Sequence, residues 1–340
     1  MDFRLDDDQI ALRDAVRSLS ERHFALSAVS AREGVAAGDA AWRDLTAMGI
    51  FELLVPLDAS GTGTGTGAVT AAVALEELSA HLVTGPVLWT TIGAPLTMET
   101  GGDAGRVTGV LVAGDPRGPV VIEHASEADV VIIVHGDRVE RCEVAALPTA
   151  NVGEPFDPLT PALAYESIPL GEVIGGPDEA RSIRLAGTVL AAAQLVGVAQ
   201  GALDVASAYA LERHQFGVPI GSFQAIKHLL SDMYVRVELA RSSTYAAAAI
   251  LDDERGGDAE HAASAAKVLA GQAGIDNGRA AVQILGGMGF TWEMLPHYFL
   301  KRAWVLEQSF GTGESHALAL GDALGGAVGV ATSESVNAWT

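Results

Sequence analysis

The sequence predicts a mainly α-helical protein with a small β unit in its middle. Alanine and leucine dominate the apolar residues, while aromatic residues make up only 6% of the chain, a composition that favours helix over strand. Runs of β-branched residues are confined to the stretch 106–175. At 340 residues and 49% hydrophobic content the chain can bury a large core in two or three structural units. We expect an N-terminal helical domain over 1–105, a β domain over 106–175 and a C-terminal helical-bundle domain over 176–340.

The N-terminal part begins with an amphipathic helix over 6–24, whose apolar side chains recur at helical spacing. Three aspartates at its start stand where acids complement the positive end of a helix dipole. A second helical stretch covers about 40–49, and the glycine-rich GTGTGTG at 61–67 precedes a third. That glycine run lacks the Lys-Ser/Thr pair of a P-loop and the framing strand of a dinucleotide fingerprint. It therefore predicts a surface loop.

The middle and C-terminal parts differ in their periodicity. Four short β-branched runs, separated by glycine, aspartate or proline, predict strands: VTGVLVAG, GPVVIEHA, ADVVIIVHG and VERCEVAAL. Beyond residue 180 the helical period returns and predicts long helices over 181–213, 221–253 and 258–288, with a fourth over about 298–325. Alanine-rich seams such as AAAQLVGVAQGAL let helices approach closely, as in a bundle.

The chain is strongly acidic, with 43 acidic against 21 basic residues and a net charge of −22. This field repels DNA, RNA and anionic membrane surfaces, so we expect neither nucleic acid nor membrane as a partner. The single cysteine, Cys142, excludes an internal disulfide and a cysteine-based metal site, and we expect no metal. Because the N-terminus lacks the apolar stretch of a signal peptide, and no transmembrane-length apolar run follows, we expect a cytoplasmic protein.

Two blocks in the C-terminal part carry a resemblance to a known family. The first contains RHQFG at 213–217, then Phe-Gln at 223–224 and Asp-Met at 232–233. The second, at 283–303, has a Gln-x-x-Gly-Gly-x-Gly pattern followed by Phe290. Together they resemble the C-terminal bundle of the acyl-CoA dehydrogenases, and the N-terminal helices resemble that family too. The resemblance covers nearly the whole chain and implies the family's fold: a helical domain, a β domain and a C-terminal four-helix bundle.

The resemblance implies a site for flavin adenine dinucleotide (FAD), on a surface that in the family serves the cofactor held mainly by a neighbouring subunit. Arg213 offers a planar fork suited to a pyrophosphate, just before a Gly-Val-Pro break that would end its helix. Glutamine amides can read amide or purine edges, and glycines permit close backbone approach. The implied cofactor-binding residues are Arg213, Phe216, Gln224, Gln283, Gly286, Gly287, Gly289, Thr312 and Glu314.

The family's chemistry needs a carboxylate that removes the α-proton of an acyl-CoA thioester, a flavin that takes the β-hydride, and hydrogen bonds to the thioester carbonyl. In many members the acid lies just before the Gly-Thr of a terminal turn, where this chain has Phe310. In others it lies on an earlier helix, at the place of Gly187, followed by Thr188 where some members have an arginine. Both acid positions are empty, so no catalytic residue is predicted at either.

Three titratable residues near the terminal turn are weaker candidates. Glu307 lies one turn before Phe310 on a predicted helix, but helical spacing alone favours a surface or interface carboxylate. Glu314 fits a cofactor contact or a helix cap better than a base. His316 belongs to the residue type best suited to proton transfer near neutral pH, yet a lone histidine at a helix start favours a structural role.

The predicted β unit lacks the Thr-Glu-Pro and Gly-Ser-Asp stretches with which family members embrace their own flavin ring. Residues that serve a neighbour's cofactor are thus present, whereas those for the chain's own flavin and acid are missing. This pattern resembles the short subunits of actinobacterial heteromeric acyl-CoA dehydrogenases of sterol side-chain breakdown, which form α2β2 assemblies. It implies α,β-desaturation of an acyl-CoA, a partner chain that brings the base, and an electron-transfer flavoprotein as acceptor.

Alternatives stay open at this point. One is a homo-oligomeric acyl-CoA dehydrogenase that recruits Glu307 or another displaced acid. Another is a catalytically silent scaffold whose helices stabilise a dehydrogenase partner. A flavin monooxygenase of the same fold has no positive residue signal in the sequence.

Overall fold

The computed structural model describes residues 5–56, 64–98, 105–113, 118–253 and 257–327. Helices dominate it, as the composition predicts. They are α1 Asp7–His23, α2 Asp39–Ala47, α3 Gly67–Ala80, α4 Val87–Thr97, α5 Pro177–Glu212, α6 Gln224–Asp252, α7 Ala259–Leu285, α8 Pro296–Gln308 and α9 Gly313–Ala327.

Two small sheets lie between α4 and α5. The first has the strand order β1-β3-β4-β7, with β1 and β3 parallel, and the second has the order β2-β6-β5. Four of these strands match the predicted β-branched runs, while β5, β6 and β7 were not predicted. The strands are β1 Val107–Val112, β2 Val120–Glu123, β3 Val130–His135, β4 Arg138–Glu143, β5 Asn151–Val152, β6 Ala162–Tyr165 and β7 Glu172–Gly175.

Helix starts follow local chemistry that the sequence carries. At α1 the side chain of Asp6 accepts from the amide of Gln9 and the Gln9 side chain accepts from the Asp6 amide, a reciprocal cap. At α5 Pro177 occupies the first helical position, and Glu179 accepts from the amide of Gly176 at 2.8 Å. These contacts explain why α1 and α5 begin close to the predicted positions.

The C-terminal bundle is held in register by one buried amide. The Asn277 side chain of α7 donates to the carbonyl of Ala199 on α5 and to that of Met233 on α6. Helix α5 lies at the centre of the bundle and is long and apolar enough to span a membrane. However, 83% of its most apolar stretch is buried inside the protein. This burial identifies α5 as a core helix of the bundle.

A buried ion pair joins the β unit to the helices. Arg302 of α8 donates through Nε to Asp157, which lies between β5 and β6, at 2.5 Å, and through Nη1 to the carbonyl of Val83 at 2.8 Å. The side chains of Arg302 and Asp157 are 5% and 0% exposed. One guanidinium therefore contacts segments from all three parts of the chain.

The single helix predicted over 298–325 is wrong. The structure has two helices, α8 and α9, because Phe310 and Gly311 adopt left-handed φ values of 57° and 96°, which end one helix before the next begins. The predicted loop at 61–67 lies partly outside the described residues; its described part, 64–66, is irregular and leads into α3.

Candidate functional site

The predicted site residues fall at opposite ends of the helical bundle. Gly187 and Arg213 mark these ends on α5, and the 26 residues between them span about 39 Å at the helical rise of ~1.5 Å per residue. We call the part around Gly187 and Phe310 the closed end, and the part around Arg213 and the loop at 286–290 the open end. Helix α6 starts and α7 finishes at the open end, since Asn277 fixes their register against α5.

At the closed end the two predicted acid positions meet. The Phe310 ring lies directly against Gly187, so that a Cβ added at Gly187 would overlap it. Trp89 of α4 covers the ring from another side, with 5.0 Å between ring centroids. Phe310 is 8% exposed and Gly187 is buried. An apolar contact therefore fills the space where a carboxylate from either position would stand.

The terminal turn that carries Phe310 is held by a lysine that the sequence analysis missed. Lys267 of α7 is fully buried, and its Nζ donates to the carbonyls of Glu307 at 2.7 Å and Gly311 at 2.5 Å. Burial lowers the pKa of Lys267 to about 8, against a smaller opposing effect of Glu307. A lone lysine in the alanine-rich stretch AASAAKVLAG was the available signal for it.

Glu307 and His316 at this turn are occupied by structural contacts. Oε1 of Glu307 accepts from the amide of Gly313 at 2.7 Å, at the start of α9. Nε2 of His316 lies 2.9 Å from the carbonyl of Phe310, which can only accept, so this nitrogen carries the proton and Nδ1 accepts from the Ser264 hydroxyl at 3.0 Å. Burial lowers the pKa of His316 and favours this neutral form.

A cavity of about 440 Å³ lies beside the closed end, between α4 and the start of α5. Its apolar wall includes Ile92, Ile183 and Ala186, the residue next to Gly187. Its charged lining consists of Asp178, Glu179 and Asp252 against Arg181 alone. An acidic lining disfavours the several phosphate charges of an acyl-CoA.

At the open end, α5 passes into a hairpin of two short strands, β8 (His214–Gln215) and β9 (Val218–Pro219). Between them Phe216 and Gly217 both have left-handed φ values, 53° and 84°, as in a type I′ turn. Asparagine and glycine normally fill such turns, so Phe216 is a strained choice. Its ring is 93% exposed, and its one described ring contact is edge-on to Phe223 at 6.2 Å.

The other open-end candidates also face solvent. The exposed guanidinium of Arg213 makes no hydrogen bond or ion pair to any described residue, and the Gln224 and Gln283 side chains are likewise exposed. Around Gly286 and Gly287 a Cβ would meet nothing within 4 Å, which leaves their backbone open to a ligand. Gly289 differs: it is buried, and a Cβ there would lie 2.6 Å from the carbonyl of Val282, so packing alone already requires glycine at this position.

The structure thus divides the predicted cofactor residues into two groups. Thr312 and Glu314 belong to the terminal turn of the closed end, where the Thr312 hydroxyl oxygen accepts from the amide of Ser315 at 3.1 Å and Glu314 is exposed. The remaining predicted residues lie at the open end. Within the described ranges no three His, Cys, Asp or Glu side chains converge as a metal site would require.

Comparison with known proteins places this geometry in a family. The model of the acyl-CoA dehydrogenase N-terminal domain matches residues 6–106, and that of the C-terminal domain matches 185–325. Acyl-CoA dehydrogenase IpdE2 of Mycobacterium tuberculosis is 30% identical over 301 residues, which are 86% of this chain and 89% of IpdE2. Acyl-CoA dehydrogenase FadE34 of the same organism is 32% identical over 87% of this chain, but the chain spans only 45% of its length.

Solved structures share the fold. The ChsE4-ChsE5 complex from Mycobacterium tuberculosis aligns over 95% of this chain and 99% of its own, with a TM-score of 0.81 and 21% identity. A structure described as the Tcur3481-Tcur3483 steroid ACAD G363A variant aligns with the same coverage, a TM-score of 0.80 and 21% identity. With both terminal domain models matched and a curated relative covering most of its length, the chain belongs to the acyl-CoA dehydrogenase family of flavin-dependent oxidoreductases, whose cofactor is FAD.

Proposed function

We propose that this chain is one subunit of a heteromeric acyl-CoA dehydrogenase, in which it supplies part of the FAD-binding surface and a second chain supplies the catalytic carboxylate. The observation that carries the proposal is the contact of Phe310 with Gly187 at the closed end. Both places where family members carry the acid are apolar here, and each fills the other's space. The nearby carboxylate of Glu307 caps α9 and holds the terminal turn.

The open end fits one half of a dinucleotide site. Arg213 presents a free planar fork, which suits a pyrophosphate, and the open backbone at Gly286 and Gly287 permits close approach of a ligand. Exposed Phe216 offers an aromatic face beside Arg213, and the amides of Gln224 and Gln283 offer donors and acceptors. The bound FAD would take the hydride, while these residues bind and orient it.

The distance between the closed end and the open end supports an FAD site that is shared between two chains. A flavin bound at Arg213 would lie roughly 39 Å along α5 from Phe310. The terminal turn with Thr312 and Glu314 therefore cannot act on the same flavin. If those two residues contact a cofactor, it is a different molecule from the one at the open end.

The substrate class follows from the family and its neighbours. An acyl-CoA is the substrate of acyl-CoA dehydrogenases, and the steroid named in one structural neighbour makes a steroid side-chain CoA ester the candidate here. The acidic cavity beside the closed end disfavours the phosphates of CoA. We therefore propose that the partner chain, and not this one, binds the acyl-CoA. An electron-transfer flavoprotein as acceptor and a cytoplasmic location complete the proposal.

The test is co-expression of this chain with a second acyl-CoA dehydrogenase-like chain from the same organism. That second chain must carry the catalytic carboxylate and the Gly-Ser-Asp stretch that this chain lacks. We expect little flavin and negligible desaturation from this chain alone, and both from the pair. In the pair, Arg213→Ala should lower flavin retention by about tenfold or more, because charge-assisted hydrogen bonds to phosphate are lost. Arg43→Ala, at an exposed arginine of the N-terminal region, is the matched control.

The alternatives give other results. A yellow, active preparation of this chain alone would contradict the need for a partner and favour a homo-oligomer with a displaced acid. Unchanged flavin content and activity in the Arg213→Ala pair would favour a silent scaffold.

A further inference from the structure

Two arginine side chains meet where the three parts of the chain join. Arg32 ends a short helical segment that follows α1, and Arg302 lies on α8 of the bundle. Nη1 of Arg32 donates to the carbonyl of Leu82 at 2.7 Å. Nη1 of Arg302 donates to the carbonyl of the next residue, Val83, at 2.8 Å. Because these carbonyls are consecutive, the two guanidinium groups lie close together, and we call them the arginine pair.

Each guanidinium of the arginine pair keeps one buried nitrogen without an acceptor. Arg302 is only 4% exposed; its Nε donates to Asp157 and its Nη1 to Val83, but its Nη2 has no hydrogen-bond partner among the described residues. Nη1 and Nη2 of Arg32 donate to three backbone carbonyls, whereas its Nε, also buried, has no partner in the same part of the chain. Buried donors on charged groups are unfavourable without an acceptor, so both nitrogens indicate a small ligand.

The protein balances the charge of the arginine pair only in part. In the described ranges, Asp157 is the one carboxylate that forms an ion pair with either arginine, and its side chain is 0% exposed. The carboxylate of Glu33 accepts from the Tyr298 hydroxyl instead. Burial raises the pKa of Glu123, the other acid near Arg302, which weakens its negative charge. Two cations therefore share one buried counter-charge.

The excess positive charge favours an anion over a water molecule. Burial lowers the pKa of Arg32 to about 10, and the charge of Arg302 contributes in the same direction, yet Arg32 stays protonated near neutral pH. The carbonyls that Arg32 contacts end α1 and α3 and carry only partial negative charges. An anion supplies both a full negative charge and an acceptor for the free donors, whereas water supplies only the acceptor.

A pocket gives such an ion a path from the surface. Its volume is about 300 Å³, and Ser30 and Tyr298 are part of its lining. Ser30 is two residues from Arg32, and Tyr298 is one helical turn before Arg302 on α8. The enclosed position of the free nitrogens suits a small monovalent ion better than a phosphate, which brings more charge and needs more donors.

We propose that the arginine pair binds one small monovalent anion, such as chloride, between Nε of Arg32 and Nη2 of Arg302. The ion ties the N-terminal helices to the bundle and, because Arg302 also holds Asp157, to the β unit. This site has no part in the proposed function, so either proposal can fail without the other.

Thermal melting of the intact chain in chloride and in gluconate, at equal ionic strength, tests the site. We expect chloride to raise the melting midpoint by roughly 2–5 °C in a saturable manner, because a ligand that binds only the folded state stabilises it. Arg32→Lys keeps a cation but removes the Nε donor, and should lose this chloride effect. Arg17→Lys is the matched control and should keep it, since Nε and Nη2 of Arg17 both donate to Glu77 at 2.9 Å.

Crystals of the wild-type chain grown in bromide locate the ion without any substitution. An anomalous peak between Arg32 and Arg302 would support the proposal. Density of a water molecule there, with no anomalous signal, would overturn it, and so would equal melting midpoints in chloride and gluconate. A chloride effect that survives Arg32→Lys would place the bound anion elsewhere and would also overturn this site.

Discussion

Two Phe-Gly pairs, one at each end of the bundle, share a backbone shape and differ in their surroundings. Phe216 and Phe310 have φ values of 53° and 57°, and the glycines that follow have 84° and 96°. The Phe216 ring is almost fully exposed, whereas the Phe310 ring is buried between Gly187 and Trp89. The same Phe-Gly backbone shape thus occurs once in the core of the protein and once on its surface.

The two phenylalanines differ in whether burial of the ring offsets the cost of the left-handed backbone. A left-handed non-glycine residue costs about 1–3 kcal/mol. At Phe310, burial of the ring recovers a similar amount, roughly 1.5–3 kcal/mol. At Phe216 the described chain provides only an edge contact with Phe223, so the strain there is offset by nothing of comparable size. The closed end is a packed core, whereas the strain at the open end is left uncompensated, which agrees with the ligand-binding role that we propose for that surface.

The largest expected effect separates the two phenylalanines by stability. Phe310→Ala should lower the free energy of unfolding by about 3–5 kcal/mol, because it empties a buried site. Phe216→Ala should change it by less than about 0.5 kcal/mol, because an exposed ring contributes little. Chemical denaturation of both variants measures the contrast, and equal losses would break it.

The second prediction concerns pH at the closed end. Lys267 has a pKa of about 8 in the folded protein against about 10.5 in the unfolded chain. Between these values the unfolded state binds more protons, so this residue makes the folded state more stable as pH rises from 8 to 10.5. The ceiling is about 3 kcal/mol.

Comparison with Lys267→Met isolates this contribution from other titrating groups. We expect the stability of the wild type relative to the variant to increase across that pH window in urea unfolding at fixed ionic strength. A constant difference would mean that Lys267 has an ordinary pKa and that the closed end is less dry than its burial indicates.

The third prediction concerns whether the exposed Phe216 ring contacts the cofactor. Phe216→Asn places a residue favoured in type I′ turns, and should raise the stability of this chain by about 0.5–1 kcal/mol. In the co-expressed pair the same change should lower flavin content, because the aromatic face is gone. Thermal melting and flavin absorbance check both halves, and a stabilised variant with full flavin content would show that Phe216 does not face the cofactor.

The smallest effect is expected at Glu307. Glu307→Gln keeps a hydrogen-bond acceptor for Gly313 but removes a negative charge from the start of α9, which should cost about 0.3–1 kcal/mol. Activity of the pair should not change. A loss of activity by orders of magnitude would instead identify Glu307 as a displaced base and contradict a purely structural role.

Much of the fold could be predicted from the sequence, because the long helices carry their own periodicity and caps. Asp6 with Gln9 and Pro177 with Glu179 are short-range signals that place helix starts within a few residues. Strands β5 to β7 were missed because they are two to four residues long and lack a buried alternating face. The β8–β9 hairpin was missed because Phe-Gly is not a usual turn signal.

The candidate site could likewise be predicted only in part from the sequence. The family resemblance predicted that Phe310 and Gly187 stand where other members carry an acid, and this stays a prediction. The contact between the two joins residues more than a hundred positions apart and needs the tertiary structure. The role of Lys267 could not be predicted either, because its Nζ donates to the carbonyls of Glu307 and Gly311, which lie about forty residues further along the chain. The assignment of Arg213, Gln224 and Gln283 to a cofactor stays a prediction, because exposed side chains carry no internal contact that could test it.

The guanidinium of Arg302 limits how this chain can be dissected. Its counter-charge, Asp157, comes from the β segment, and its carbonyl partner, Val83, comes from the N-terminal helices. Excising 106–175 would remove Asp157, and expressing the bundle by itself would remove both Asp157 and Val83, so in either form Arg302 would lose contacts that hold the parts of the chain together. Truncated forms are therefore poor surrogates, and interactions of this protein should be mapped with point variants of the intact chain.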